Sequence, residues 1–425
     1  MDNIEEKIEE PEITSDQKRD ETFVSSGANE ETVTTSEEKP RNKKKIALIV
    51  VAVLLVVGVG GGIAFYALNQ NKGEEEAQNS EVVSDPEEKP TEHTEEEIKE
   101  PEITKTAMLP TGEALNKKFC ELSGSVSEFD FCEDNRIVSI QRMNSIPDNK
   151  KTRKYDVTDS DSEASVYFWY ELNEGTKTGT IYYYSEAKTI YANKVFDGAF
   201  KKLMALSDIS GLASINMSKV ESAADLFADD EKLKTVKALK NWDMSNVTKM
   251  DGMFMRAGLT NISGLADWDV SKVQSFEGLF MSVEGLSDIS VLKNWDMSSA
   301  GRVSDMFYGC NTITDISAVS NWKTSNFKEI GGMFADLTEL KDISPLKNWD
   351  TSNVYHASSL FSGDSSLSDI SPIANWNMKK LKASYAMFRD TDVYDATVLN
   401  AWKVPNLDFK DEMFNEGAKT PKWYK

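Results

Sequence analysis

The hydrophobic positions of this chain recur at a fixed interval. Tryptophan stands at Trp242, Trp268, Trp295, Trp322, Trp349, Trp376 and Trp402, at spacings of 26, 27, 27, 27, 27 and 26 residues. Twelve residues after each comes a phenylalanine: Phe254, Phe280, Phe307, Phe334, Phe361, Phe388 and Phe414. Ile215 and Phe227 lie where one earlier, degenerate copy would place them, so the pattern predicts eight coils of 26 or 27 residues. Signed numbers below count residues from the tryptophan column. Columns −9, −6 and −3 are apolar throughout, as in Leu286, Ile289 and Leu292, and so are +5 and +11.

The two halves of the coil suggest different elements. The short Leu-x-x-Ile-Ser-x-Leu run fits one brief strand, whereas apolar residues at +5, +8 and +11/+12 have helical spacing, with a serine at +3 placed as an N-cap. Asn241, Asn294, Asn321, Asn348 and Asn375 at −1 fall where a leucine-rich repeat keeps its asparagine, and a stacked ladder of them would satisfy loop amides. The expected class is thus an α/β repeat solenoid, leucine-rich-repeat-like, over residues 206–425. Pro345 and Pro372 at −4 oppose a long strand there, because proline cannot donate inside a central ladder. A single coil cannot bury its Trp and Phe, so stacked coils must cover one another. Trp322→Ala should then cost about 3 to 5 kcal/mol and Trp402→Ala clearly less, since Trp402 lies near a C-terminal cap formed with Trp423 and Tyr424.

Upstream, residues 107–205 have a globular pattern and read as a small α+β domain. Its clearest element is a hairpin, Val166–Tyr170 and Thr180–Tyr184 around Asn173-Glu174-Gly175, whose crowded aromatics are expected to pack on a core. Residues 69–106 form an acidic, proline-punctuated run that reads as an extended stalk. Ile46 to Leu68 contains no charged residue, which gives about 34 Å of helix, enough to span a bilayer core of about 30 Å. Arg41 and Lys43 to Lys45 precede it and Glu74 to Glu76 follow. The positive-inside bias therefore predicts an uncleaved signal-anchor, with a disordered tail over 1–45 in the cytoplasm and the C-terminal domains outside the cell membrane. Gly58 and Gly62 form a small-residue pair through which such helices can associate.

The run Asn241-Trp242-Asp243-Met244-Ser245-Asn246-Val247, recurring around Trp295 and Trp349 and closing on Met253-Phe254, resembles the BspA-type leucine-rich-repeat surface proteins of bacteria. The stretch Gly179 to Tyr191 is similar to the segment that precedes their repeats. This resemblance spans about residues 107–425. It implies display at the cell surface and, in some members, adhesion to host proteins or other cells.

Charge and composition narrow the partners. The net charge is −23 and no segment offers a basic face, which argues against nucleic acid. With two His and three Cys in the chain, neither a zinc set nor a His-based triad is indicated, and no cofactor loop or catalytic constellation stands out. The expectation is a non-enzymatic binding protein without metal or cofactor. Asp at −7 and Ser at −5 would flank an inward −6 residue and form one acidic, hydroxyl-rich face: Asp288, Ser290, Asp315, Ser317, Asp342, Ser344, Asp369 and Ser371. Such a face favours a cationic extracellular protein or glycan. A second reading, a transmembrane sensor, rests on the Ser/Thr-rich cytoplasmic tail. Cys120 and Cys132 are close enough in sequence to pair, and Cys310 is left as a small buried residue.

Overall fold

The computed structural model describes residues 104–125, 132–148 and 154–425. The expected tail, the membrane helix with Gly58 and Gly62, and most of the stalk lie outside these residues. Among the described residues no helix is long and apolar enough to cross a membrane.

The region from Ser210 onward is a repeat solenoid, but its coil is built from turns. Inward residues step by three: Leu286, Ile289, Leu292 and Trp295, then Met297, Ala300, Val303, Met306 and Phe307 are all buried. The expected strand is instead a 3₁₀ turn, as at Ser290–Asn294, Ser317–Asn321 and Ser344–Asn348. Side chains three apart eclipse in a 3₁₀ helix, which is what carries −6, −3 and 0 to one side. Pro345 sits in the first turn, where its missing N–H is not needed. That removes the conflict a strand would have posed.

The expected helix is replaced by a ladder between coils. Val303, Asp305, Phe307 and Gly309 donate their amides to the carbonyls of Glu329, Gly331, Met333 and Ala335 in the next coil, at 2.8 to 3.1 Å. The amides between them turn back inside the coil, Tyr308 to Asp305 and Cys310 to Phe307. Two left-handed residues per coil make this possible, at +10 (Asp305, φ 56°) and +14 (Gly309, φ 70°), and they also exclude an α-helix. Parallel bridges link the +7 residues in one line: Ser222, Lys249, Ser275, Arg302, Glu329, His356, Ala383 and Phe409.

Two further expectations change with this geometry. The +3 serine is not a cap: its amide donates to the +1 carboxylate, Ser298 to Asp296 at 3.0 Å. The −1 asparagines are exposed, and the asparagine ladder runs instead at +4. There Asn246, Asn353 and Asn406 donate to the carbonyls of Ser218, Ser325 and Lys379 in the preceding coil, at 2.8, 2.7 and 2.9 Å.

The core holds a row of stacked phenylalanine rings beside a column of tryptophans that stack on one another at Trp242–Trp268 and from Trp349 to Trp423. The Phe row runs unbroken from Phe200 through Phe227 to Phe414, with ring centroids 5.1 to 6.1 Å apart. Each Trp is 3 to 5 % exposed and donates its indole N–H to the −3 carbonyl of the preceding coil, as Trp322 does to Leu292 at 3.0 Å. At the C-terminus, Trp423 stacks on Trp402 at 6.1 Å and donates to Leu399, repeating that contact. Trp402 is therefore enclosed between Trp376 and Trp423, not frayed.

The N-terminal module caps the other end. β1 (Thr106–Met108) pairs in parallel with β6 (Thr189–Tyr191), which pairs with β7 (Ile215–Asn216) of the first coil. The second sheet has the order β2-β5-β4-β3, from β2 (Ile137–Arg142), β3 (Lys154–Asp156), β4 (Val166–Asn173) and β5 (Thr178–Ser185). β4 and β5 form the predicted hairpin, and Phe168, Trp169 and Tyr183 are buried. Helix α1 (Gly112–Ser123) sets Phe119 against Phe200, continuing the ring row. Gly112 lies so close to the backbone of Phe196 and Asp197 that any side chain there would collide. A disulfide joins Cys120 to Cys132, with Cα atoms 5.2 Å apart. Cys310 is buried at +15, and burial pushes its thiol up to about 12.

Candidate functional site

Two outward faces carry the polar side chains of the solenoid. On the first, Asp288, Ser290, Asp315, Ser317, Asp342, Ser344, Asp369 and Ser371 are all exposed on four consecutive coils. Within each pair the Asp Oδ1 accepts the Ser amide, at 2.8, 2.7, 2.7 and 2.8 Å, and so opens the 3₁₀ turn as an Asx turn. The hydroxyl and amide of Ser290 hold the Asp288 carboxyl below the usual carboxylate range. The same arrangement recurs at Asp208–Ser210 and Asp395–Thr397. The uniformity of this column thus has a local cause, since each coil must start its turn.

The second face is the outer side of the ladder, at +6, +7 and +9. Here the residue types change from coil to coil: Lys249 and Asp251, then Gln274 and Glu277, Arg302, Lys328 and Glu329, Tyr355 and His356, Tyr385, and Phe409. Charges pair across coils. Arg302 contacts Glu277 and lies 3.9 Å from Glu329, while Lys249 lies 3.6 Å from Asp251. Tyr355 donates its hydroxyl to Glu329, and Tyr385 donates to Glu412 at 3.0 Å. Toward the C-terminal end Tyr385 and Phe409 are 40 % and 67 % exposed, large apolar groups left in water on an otherwise polar face. The sequence reading passed over this column, because its residues follow no type rule; only the ladder geometry puts them in one line.

Between these positions the ladder face holds a trough of about 790 Å³ across five coils, from Lys249 to Tyr355, with Gly301 and Ser275 among its lining. Beside it, Asp305 is largely buried, and desolvation followed by the neighbouring Glu277 raises its carboxyl to about 6. Among the described residues, no group of three or more His, Cys, Asp or Glu is arranged to hold a metal.

Fold and faces together define a turn-built repeat solenoid with a constant interior and a variable exterior. The family model described as Mycoplasma protein of unknown function, DUF285, matches residues 194–319 and 310–423, together more than half of the chain. The chain belongs to that family. Its matched span begins at residue 194, close to where the ladder starts at Val195. No curated protein matches the chain.

Proposed function

We propose that this is a bacterial cell-surface binding protein, anchored by residues 46–68 with its N-terminus in the cytoplasm, whose solenoid engages an extracellular protein or glycan through the ladder face. One observation carries the reading. The −9 and −3 columns stay aliphatic and, from Trp242 onward, the Trp and Phe columns stay aromatic, while +6, +7 and +9 range over charged, polar, small and aromatic residues, which is how a fixed scaffold carries a specific surface. The resemblance to BspA-type surface proteins supports display, and the Cys120–Cys132 disulfide fits an oxidising, extracytoplasmic setting. The acidic row from Asp288 to Ser371 is a second contact surface suited to cationic groups, since it stays exposed after its turn-forming bonds are made.

The test is adhesion. Cells producing the full chain are incubated with immobilised matrix proteins and surface glycans, beside cells producing ladder variants (Arg302→Ala, Tyr385→Ala) or row variants (Asp315→Asn, Asp342→Asn). Loss of binding in the ladder variants, with surface amounts unchanged, is the expected result. Adhesion equal to that of cells lacking the protein would overturn it.

A further inference from the structure

We infer that the trough on the ladder face is a subsite for an acidic saccharide. The inference rests on the binding reading above and names the class of ligand. None of the residues lining the trough is aliphatic; they are hydroxyl, amide, charged, glycine and tyrosine residues. Protein partners are anchored by apolar and aromatic groups packed into desolvated pockets, and this lining offers them a single aromatic ring and no aliphatic side chain. A polyhydroxylated ring finds what it needs here: a flat aromatic platform and hydrogen-bonding groups of both signs.

The platform is Tyr355, 36 % exposed, with its ring held by the hydroxyl bond to Glu329. At the other end Gln274 is exposed, and its side-chain amide makes no hydrogen bond among the described residues. Ser275 lines the trough, and its hydroxyl is buried and unpartnered, so a turn of χ1 would be needed to present it to a ligand. Gly301 sits between them. A Cβ built there meets nothing nearer than the Asn326 carbonyl at 3.8 Å, so the glycine leaves space open over the trough instead of relieving a clash.

Charge selects the acidic class. Lys249 is offset by Asp251, and Arg302 by Glu277 and Glu329. Lys328 has no ion-pair partner among the described residues and is exposed. The lining itself carries Lys249, Arg302 and Lys328 against Asp251 and Glu329, and Lys328 is its cation without an ion-pair partner among the described residues, placed to receive a carboxylate or sulfate on a sugar stacked against Tyr355. Coils about 4.8 Å apart set successive contacts at a spacing close to that of successive sugar rings along a linear chain.

Calorimetry on the full chain in detergent micelles decides it, with a uronic-acid oligosaccharide, a sulfated oligosaccharide and a neutral glucan as probes. At least one acidic probe should bind and the glucan should bind at least tenfold more weakly; which acidic probe wins identifies carboxylate or sulfate as the group received. Gly301→Phe should fill the trough and abolish binding without lowering the melting temperature, and Lys328→Gln and Tyr355→Ala should each weaken it tenfold or more. No binding of either acidic probe at millimolar concentration overturns the proposal. So does binding that survives both Gly301→Phe and Lys328→Gln. Either result leaves the adhesion assay free to succeed through other ladder residues, so the two readings fail separately.

Discussion

Replacing Trp402 by alanine probes how the solenoid ends. A position near a frayed terminus would tolerate the change, but the Trp402 indole stacks on Trp376 at 6.4 Å and on Trp423 at 6.1 Å, and is 3 % exposed. It also donates to the Ile373 carbonyl at 3.0 Å. Truncating such a side chain costs about 3 to 5 kcal/mol through lost burial and a cavity. Within that total, each aromatic pair is worth about 0.5 to 1.5 kcal/mol beyond area and the hydrogen bond about 1 kcal/mol. Trp322, equally buried at 5 % and bonded to Leu292, falls in the same range, so the two variants should lose stability about equally. Chemical denaturation of Trp322→Ala and Trp402→Ala gives the totals, and hydrogen exchange shows where they act. Because coils interact mainly with neighbours, Trp402→Ala should also expose amides after about residue 383 to faster exchange while those before Phe254 stay protected. A loss under about 1 kcal/mol at Trp402, with Trp423→Ala silent as well, would refute the stack of Trp376, Trp402 and Trp423 and the cap it forms.

Asp364 is buried with one carboxylate oxygen unpartnered, and desolvation lifts its carboxyl to about 9. The folded chain keeps that proton up to about pH 9 whereas the unfolded chain releases it near pH 4, so stability falls as pH rises between the two. Asp364→Asn preserves an acceptor for the Leu337 amide and should gain roughly 4 kcal/mol at pH 7 and almost nothing at pH 4, read from denaturation midpoints at both values. Gly332 has φ 59°, and a Cβ there would strike Asp305 Oδ1 at 1.9 Å; Gly332→Ala should destabilise by more than about 1 kcal/mol, and Gly332→Ala with Asp305→Gly should recover part of it in a double-mutant cycle. Reducing the Cys120–Cys132 disulfide, which spans 12 residues, should cost about 2 to 3 kcal/mol, seen as a lower melting point in reductant that the Cys120→Ser, Cys132→Ser double variant no longer shows.

The Trp and Phe columns were legible in the sequence because ring stacking demands the same residue at the same place in each coil. Element type was not. Spacings of three occur in both halves of the coil, and +5, +8 and +11 satisfy a helical template as well as a turn-built one; the left-handed residues that decide between them are Asp305 and Gly309 in one coil and Gly332 and Asp336 in the next, with no single signature. Phe200 extends the ring row one coil earlier than the tryptophans suggest. Counting 27 back from Phe227 finds it, but the corresponding tryptophan position holds Lys188, so the column used for alignment hid it. The Asp and Ser residues at −7 and −5 were found for their regularity, which reflects turn formation. The ladder residues escaped because their types change from coil to coil, so no column stands out in the sequence.

The ladder also has a polarity that bears on what the molecule can join. The amides at +6 and +7 donate back to the +6 carbonyl of the preceding coil, while those at +8, +10, +12 and +14 donate to carbonyls of the C-terminal neighbour. At the N-terminal end some of those carbonyls are already taken, Val195 by the Gly112 amide and Lys201 by Asn116. At the other end the amides of Lys410, Glu412 and Phe414 have no acceptor among the described residues. A copy approaching head to tail would meet helix α1 instead of open carbonyls at Val195 and Lys201. A protein of stacked similar coils carries a hazard of fibre growth, and here the N-terminal module holds the carbonyls that a further coil would use, so coils can be added by duplication within the gene but not by a neighbour docking at that end.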